Sequence, residues 1–209
     1  MTSQFVTKKG DLNFFPFGKL RESVGSLQQA DLVVFTKYNL GSTKSSGVAS
    51  VLPIIKKHRV PYVYSETHSS LIRYSLKGGS PCRWGSPAII KIMPMEQKLF
   101  SFCGIGDPLS FKCTTQPYQH QIIQQTTFQD HYNYHYNETK FLTSLQVLYK
   151  EFHFTGLLTT QKDFVKIKNL SGSFLVWCHQ AGLSFFIIDI EMHVADEDFV
   201  LEQIKNLIL

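Results

Sequence analysis

Asp130 and His131 stand side by side in a segment rich in rings and amides, Phe128-Gln129-Asp130-His131-Tyr132-Asn133-Tyr134. A histidine changes charge near neutral pH, and a loop can bring it to a second carboxylate, so the pair has the makings of an acid–base couple. On residue types alone the same segment also fits a solvated loop with a packed aromatic cluster beside it. Upstream, Phe102-Cys103-Gly104-Ile105-Gly106-Asp107-Pro108 reads as a strand turning through two glycines into a helix. Glycines there let backbone amides approach an anion. The third glycine of a dinucleotide fingerprint is missing, so a tight turn accounts for the segment equally well. Near the amino terminus, Arg21 and Glu22 place a cation beside an acid. They fit either a surface ion pair or a glutamate that holds a metal or orients phosphates. Thr159-Thr160-Gln161-Lys162-Asp163 ends a strand, where open α/β sheets bind ligands, and the threonine also fits a helix cap.

The elements that must position these groups follow from the apolar pattern. Asp31 to Lys37, Leu99 to Cys103, Gln121 to Thr127, Gly156 to Thr160 and Leu183 to Ile190 read as strands, mostly as unbroken apolar runs. Asp107 and Pro108 open a helix as cap and first residue. Helices are predicted over Val48 to His58, Lys162 to Ile167 and Asp196 to Leu209. Another covers Glu138 to Phe152, where Phe141, Leu142, Leu145, Leu148 and Tyr149 recur at helical spacing. Pro61 to Ser65 and Leu71 to Leu76 read as two extended segments, a hairpin or a two-stranded connector, and Lys77 to Pro87 as a turn region. Alternating strands and helices with buried strands predict an α/β fold, a mostly parallel open sheet flanked by helices (α/β/α).

Composition narrows the classes. With 43% hydrophobic and 18% charged residues among 209, the chain can bury a core. A net charge of +5 and a pI near 9.0 suit an anionic partner but are ordinary for this size. Cys82, Cys103, Cys113 and Cys178 show no CxxC spacing, which disfavours zinc and redox motifs. No stretch reaches the roughly 18 apolar residues of a membrane span, so a cytoplasmic chain is expected.

Five motifs in order carry a resemblance: Pro16-Phe17-Gly18-x-Leu20-Arg21-Glu22, Ala30-Asp31-Leu32-Val33-Val34, Phe102-Cys103-Gly104-Ile105-Gly106-x-Pro108, Phe128-x-Asp130-His131-x-x-Tyr134, and Thr159-Thr160-x-Lys162-Asp163-x-Val165-Lys166. Together they resemble the tetraacyldisaccharide 4′-kinase (lipid A 4′-kinase) family. The resemblance implies ATP- and Mg²⁺-dependent phosphorylation of the 4′-hydroxyl of an acylated disaccharide 1-phosphate, giving lipid IV-A on the path to lipopolysaccharide. It implies work at the cytoplasmic face of the inner membrane of Gram-negative bacteria, with no nucleic-acid partner. It implies two lobes joined by a two-stranded linker, the larger a P-loop-type nucleotide-binding lobe. Residues 1–58 would then end the nucleotide-binding lobe, 59–87 form the linker and 88–209 the C-terminal lobe. By the same resemblance His131 pairs with a catalytic aspartate of the other lobe, Asp130 supports it, and Glu22, with Arg21 nearby, lies near nucleotide and metal.

The family's GxxxxGK[ST] loop has no counterpart in these 209 residues; Gly41-Ser42-Thr43-Lys44-Ser45-Ser46-Gly47 has the wrong order. The aspartate pair that accompanies it in the family is expected upstream of residue 1. Gln161, Tyr132 and Ser23 replace the family's usual Glu, His and Pro. The expectation is therefore a truncated or split part of such a kinase, inactive by itself without a separate N-terminal P-loop half. A non-catalytic α/β binding module is the alternative.

Overall fold

A computed structural model describes residues 24–40, 46–78, 82–91 and 93–208. Arg21, Glu22, the Phe14–Gly18 segment and residues 41–45 lie outside the described residues. The chain divides into two compact units, residues 1–68 with 190–209, and residues 69–189.

In the first unit a 3-10 turn, Val24–Gln29, precedes β1 (Val33–Phe35), α1 (Ser46–Lys57) and β2 (Tyr62–Tyr74). β1 and β2 pair in parallel, Val33 opposite Tyr62, so α1 is the crossover of a βαβ unit. Leu27, Val33, Val51, Ile55 and Val60 form its core. Pro53 stands inside α1 without ending it. Contrary to the two separate segments expected over 61–76, β2 is one strand of thirteen residues. Its residues from Ser69 onward belong to the second unit.

Through the second unit the strands run β5 (Ala88–Ile90), β2, β9 (Ser184–Val194, whose residues from Ile190 onward belong to the first unit), β8 (Gly156–Thr160), β6 (Leu99–Cys103) and β7 (Ile122–Thr127). Pairings β6–β7, β6–β8 and β8–β9 are parallel, whereas β5 joins β2 antiparallel, so the sheet is mixed but mostly parallel. A short hairpin, β3 (Leu76–Lys77) with β4 (Arg83–Trp84), lies off this sheet. The helices are α2 (Pro108–Thr114), α3 (Glu138–Phe152), α4 (Gln161–Ile167) and α5 (Gly172–Gln180), and α6 (Glu197–Ile208) closes the chain in the first unit.

Alternation along the strands separates two cores. Phe100, Phe102, Leu157, Phe185 and Ile187 face Phe141 and Leu145 of α3, Phe164 of α4 and Phe174 of α5. Their neighbours Leu99, Cys103, Leu158, Phe186 and Ile188 pack with Phe111 of α2 on the opposite face. Both faces being covered, the central strands read as continuous apolar runs, and the α/β/α expectation holds.

Burial also sets thiol chemistry. Burial, then the nearby Asp163 charge, pushes Cys103 up to about 11 against weaker help from Thr127 and the Ile105 amide. Burial likewise raises Cys178. At pH 8 a thiol at about 11 offers roughly two orders of magnitude less thiolate than an unperturbed one. A maleimide pulse on the folded chain should therefore label partly exposed Cys113 first. Mass spectrometry showing Cys103 labelled as fast as Cys113 would contradict this packing.

Candidate active site

The sheet delivers three of the motif segments to one place. Cys103 ends β6, Thr127 ends β7 and Thr160 ends β8, and these adjacent parallel strands have their carboxyl ends together. Open α/β sheets place ligands at that edge. The Phe128 amide donates to the Cys103 carbonyl at 2.8 Å, which fixes where the β7 loop departs from the sheet.

The loop carries Asp130 and His131 into solvent. The His131 side chain is 77% exposed and its Nε2 lies 3.7 Å from Asp130 Oδ2. The His131 amide donates to Asp130 Oδ1 at 2.9 Å, and Lys162 Nζ, from α4, approaches the same oxygen at 3.5 Å. Desolvation, the largest single influence on Asp130, opposes its ionisation. The His131 amide, a charged His131 ring and Lys162 outweigh it and hold the carboxyl below its usual range. His131 adopts φ 58°, a left-handed conformation that histidine visits more readily than most residues.

Aromatic packing anchors the loop. Phe128 and Tyr132 stack at 4.5 Å, and Tyr134, fully buried, meets Tyr132, Phe128, Phe102 and Phe141. The packed aromatic cluster that the residue types allow is thus present, and His131, in the same loop, is exposed.

Asp163 is the residue that sequence reasoning missed. Thr160 caps α4, its hydroxyl oxygen accepting the Asp163 amide at 3.1 Å, which is the role read from sequence. The Asp163 carboxylate is itself fully buried. Its Oδ2 accepts from the Thr160 hydroxyl at 2.8 Å and from the Gly104 amide at 2.9 Å. The signal available was the Thr-x-x-Asp spacing, but that announces a cap, not a partner 59 residues away. The Gly104 amide is therefore committed to Asp163, and Gly104-Ile105-Gly106 is a turn into α2. Asp107 caps α2 by accepting the Ser110 amide, as expected. A β-carbon on Gly106 would sit 2.8 Å from Asp130 Oδ2, so the turn and the loop are in close contact.

Among the described residues no group of three or more His, Cys, Asp or Glu is arranged to hold a metal. No glycine-rich phosphate loop occurs in the sequence. Nor is any described helix long and apolar enough to cross a membrane.

A family model described as LpxK, tetraacyldisaccharide-1-P 4′-kinase, matches residues 5–208. A tetraacyldisaccharide 4′-kinase of Leptospira biflexa is 26% identical over 208 residues, 95% of this chain and 54% of that protein. One from Rickettsia typhi is 34% identical over 105 residues, 50% of this chain and 28% of the relative. The chain thus spans about half the length, or less, of these curated relatives. A crystal structure of LpxK from Aquifex aeolicus in complex with ATP is 17% identical, with a TM-score of 0.49. That alignment covers 96% of this chain and 50% of the other.

Proposed function

Because the chain belongs to the tetraacyldisaccharide 4′-kinase family, we propose that it forms the acceptor-side part of a lipid A 4′-kinase. In this reading it works with a nucleotide-binding segment outside these 209 residues. The reaction is transfer of a phosphoryl group to the 4′-hydroxyl of an acylated disaccharide 1-phosphate. ATP as donor and Mg²⁺ as its cation are carried over from the family, together with a place at the cytoplasmic face of the inner membrane. Arg21 and Glu22 would stand near that nucleotide and metal.

The observation that supports this reading best is convergence. Motif segments at 102–108, 128–134 and 159–166 are far apart in sequence, yet they meet at one sheet edge. There they present a single exposed imidazole, His131, on a braced loop. Phosphoryl transfer asks a protein mainly for positioning and charge neutralisation. His131 suits the first of these, because it orients, and shares charge with, an aspartate that accepts the sugar hydroxyl proton. Asp130 holds the His131 backbone through its amide.

The purified chain, given ATP, Mg²⁺ and tetraacyldisaccharide 1-phosphate, is expected to yield no phosphorylated lipid by thin-layer assay. Co-expression with a segment bearing GxxxxGK[ST] and the aspartate pair is expected to restore it. Mg²⁺-dependent product from the chain alone would overturn the divided site. No product from a folded, complemented pair would overturn the kinase reading.

A further inference from the structure

A carboxylate buried without a cation against it is costly, so Asp163 needs a reason to be there. Helix capping does not supply one, because a capping-box acid reaches back to its own cap residue's amide. Asp163 instead reaches across to Gly104, on another strand's exit. Its second oxygen, Oδ1, and the buried Tyr134 hydroxyl have no hydrogen-bond partner elsewhere and face one another. Both oxygens lie 3.3 Å from the point a β-carbon on Gly104 would occupy, and Tyr132 Cβ lies 3.0 Å from it. Burial, then the Asp163 charge, drives the Tyr134 phenol well above its ordinary value, so it keeps its proton beside the carboxylate.

The same helix holds the loop on both sides of His131. Lys162 reaches Asp130, the residue before it, at 3.5 Å. Lys166, one turn along α4, donates to the Tyr132 carbonyl, the residue after it, at 3.2 Å. His131 between them has the left-handed backbone. We propose that Asp163 is a positioning residue for His131: with Lys162 and Lys166 it makes α4 a clamp that locks the Gly104 turn against the Asp130–Tyr132 loop. Functional meaning for the clamp rests on the reading of His131 above; the clamp itself does not.

The test uses the ¹⁵N-labelled 209-residue chain and two variants, Asp163→Asn and Lys166→Met. Asparagine keeps the volume but loses the charge that serves two donors. Asp163→Asn should speed exchange of the Gly104 amide by at least about tenfold and shift the His131 and Tyr132 resonances. Resonances of Leu71 and Ile188, in the opposite core, should stay in place. Lys166→Met should shift Tyr132 and His131 with the unfolding midpoint held. A merely capping Asp163 would lower the midpoint and leave His131 where it was, which overturns the proposal. Should Asp163→Asn fail to fold, unmoved His131 resonances in Lys166→Met overturn it equally. In a full-length kinase carrying these residues, either variant should lower kcat at least about tenfold with KM kept. A neutral His131→Ala there would sink the catalytic reading while leaving the resonance test to judge the clamp.

Discussion

Replacing His131 with alanine in a full-length kinase carrying these residues is expected to lower kcat by about 10²–10⁴-fold, the usual range for a positioned proton-handling group. KM for the disaccharide should change little, because an interaction realised only in the transition state lowers kcat and kcat/KM together. Folding should hardly respond: the side chain is 77% exposed and packs into neither core. The one complication is its backbone. At φ 58° alanine is less tolerant than histidine, so part of any effect could come from a relaxed loop. His131→Asn separates the two, since asparagine accepts that conformation but cannot carry the imidazole's charge. Steady-state rates against substrate concentration, with a thermal melt of each variant, decide the matter. An unchanged kcat in His131→Asn would remove His131 from the chemistry.

What is legible in the sequence depends on whether a segment answers to one packing partner or several. Glu138–Phe152 has one apolar stripe against one sheet face, and its ends match the helix found. Leu99–Cys103 and Gly156–Thr160 are covered on both faces, and their continuous apolar runs say so. Helix α5 leaves no such trace. It opens on Ser171-Gly172-Ser173, and Phe174 to Cys178 is an unbroken apolar run with no helical period. The thirteen-residue β2 reads as two segments because its middle, Glu66 with His68, Ser69 and Ser70, is exposed where the strand leaves one unit for the next. A polar break there looks like a turn. At the candidate site, His131 is legible through its motif and residue type. Asp163 is not, because its partner is set by the side-by-side exits of β6 and β8, a tertiary fact. Arg21 and Glu22, read from the same motifs, lie outside the described residues and stay part of the proposal.

The second large effect belongs to Phe102. Its ring is fully buried and meets Phe100, Phe128, Tyr134 and Phe141, so it ties β6 to the loop base and to α3. Phe102→Ala removes these contacts and leaves a cavity that the surrounding rings, packed among themselves, can only partly close. The expected loss is about 3–5 kcal/mol, a large share of an ordinary domain's stability. It should appear as a lower denaturant midpoint with the slope kept. Leu99→Ala, in the same strand but facing the other core, provides the comparison. It should cost about 2–5 kcal/mol by the same physics, yet leave the Phe128–Tyr134 rings seated. Near-ultraviolet circular dichroism under native conditions would then distinguish them. Phe102→Ala should lose part of the aromatic signal, because Phe128 and Tyr134 rest against the missing ring, whereas Leu99→Ala should keep it. A midpoint shift under about 1 kcal/mol for Phe102→Ala would mean that the loop base is not built on β6. The sheet edge would then no longer be what positions His131.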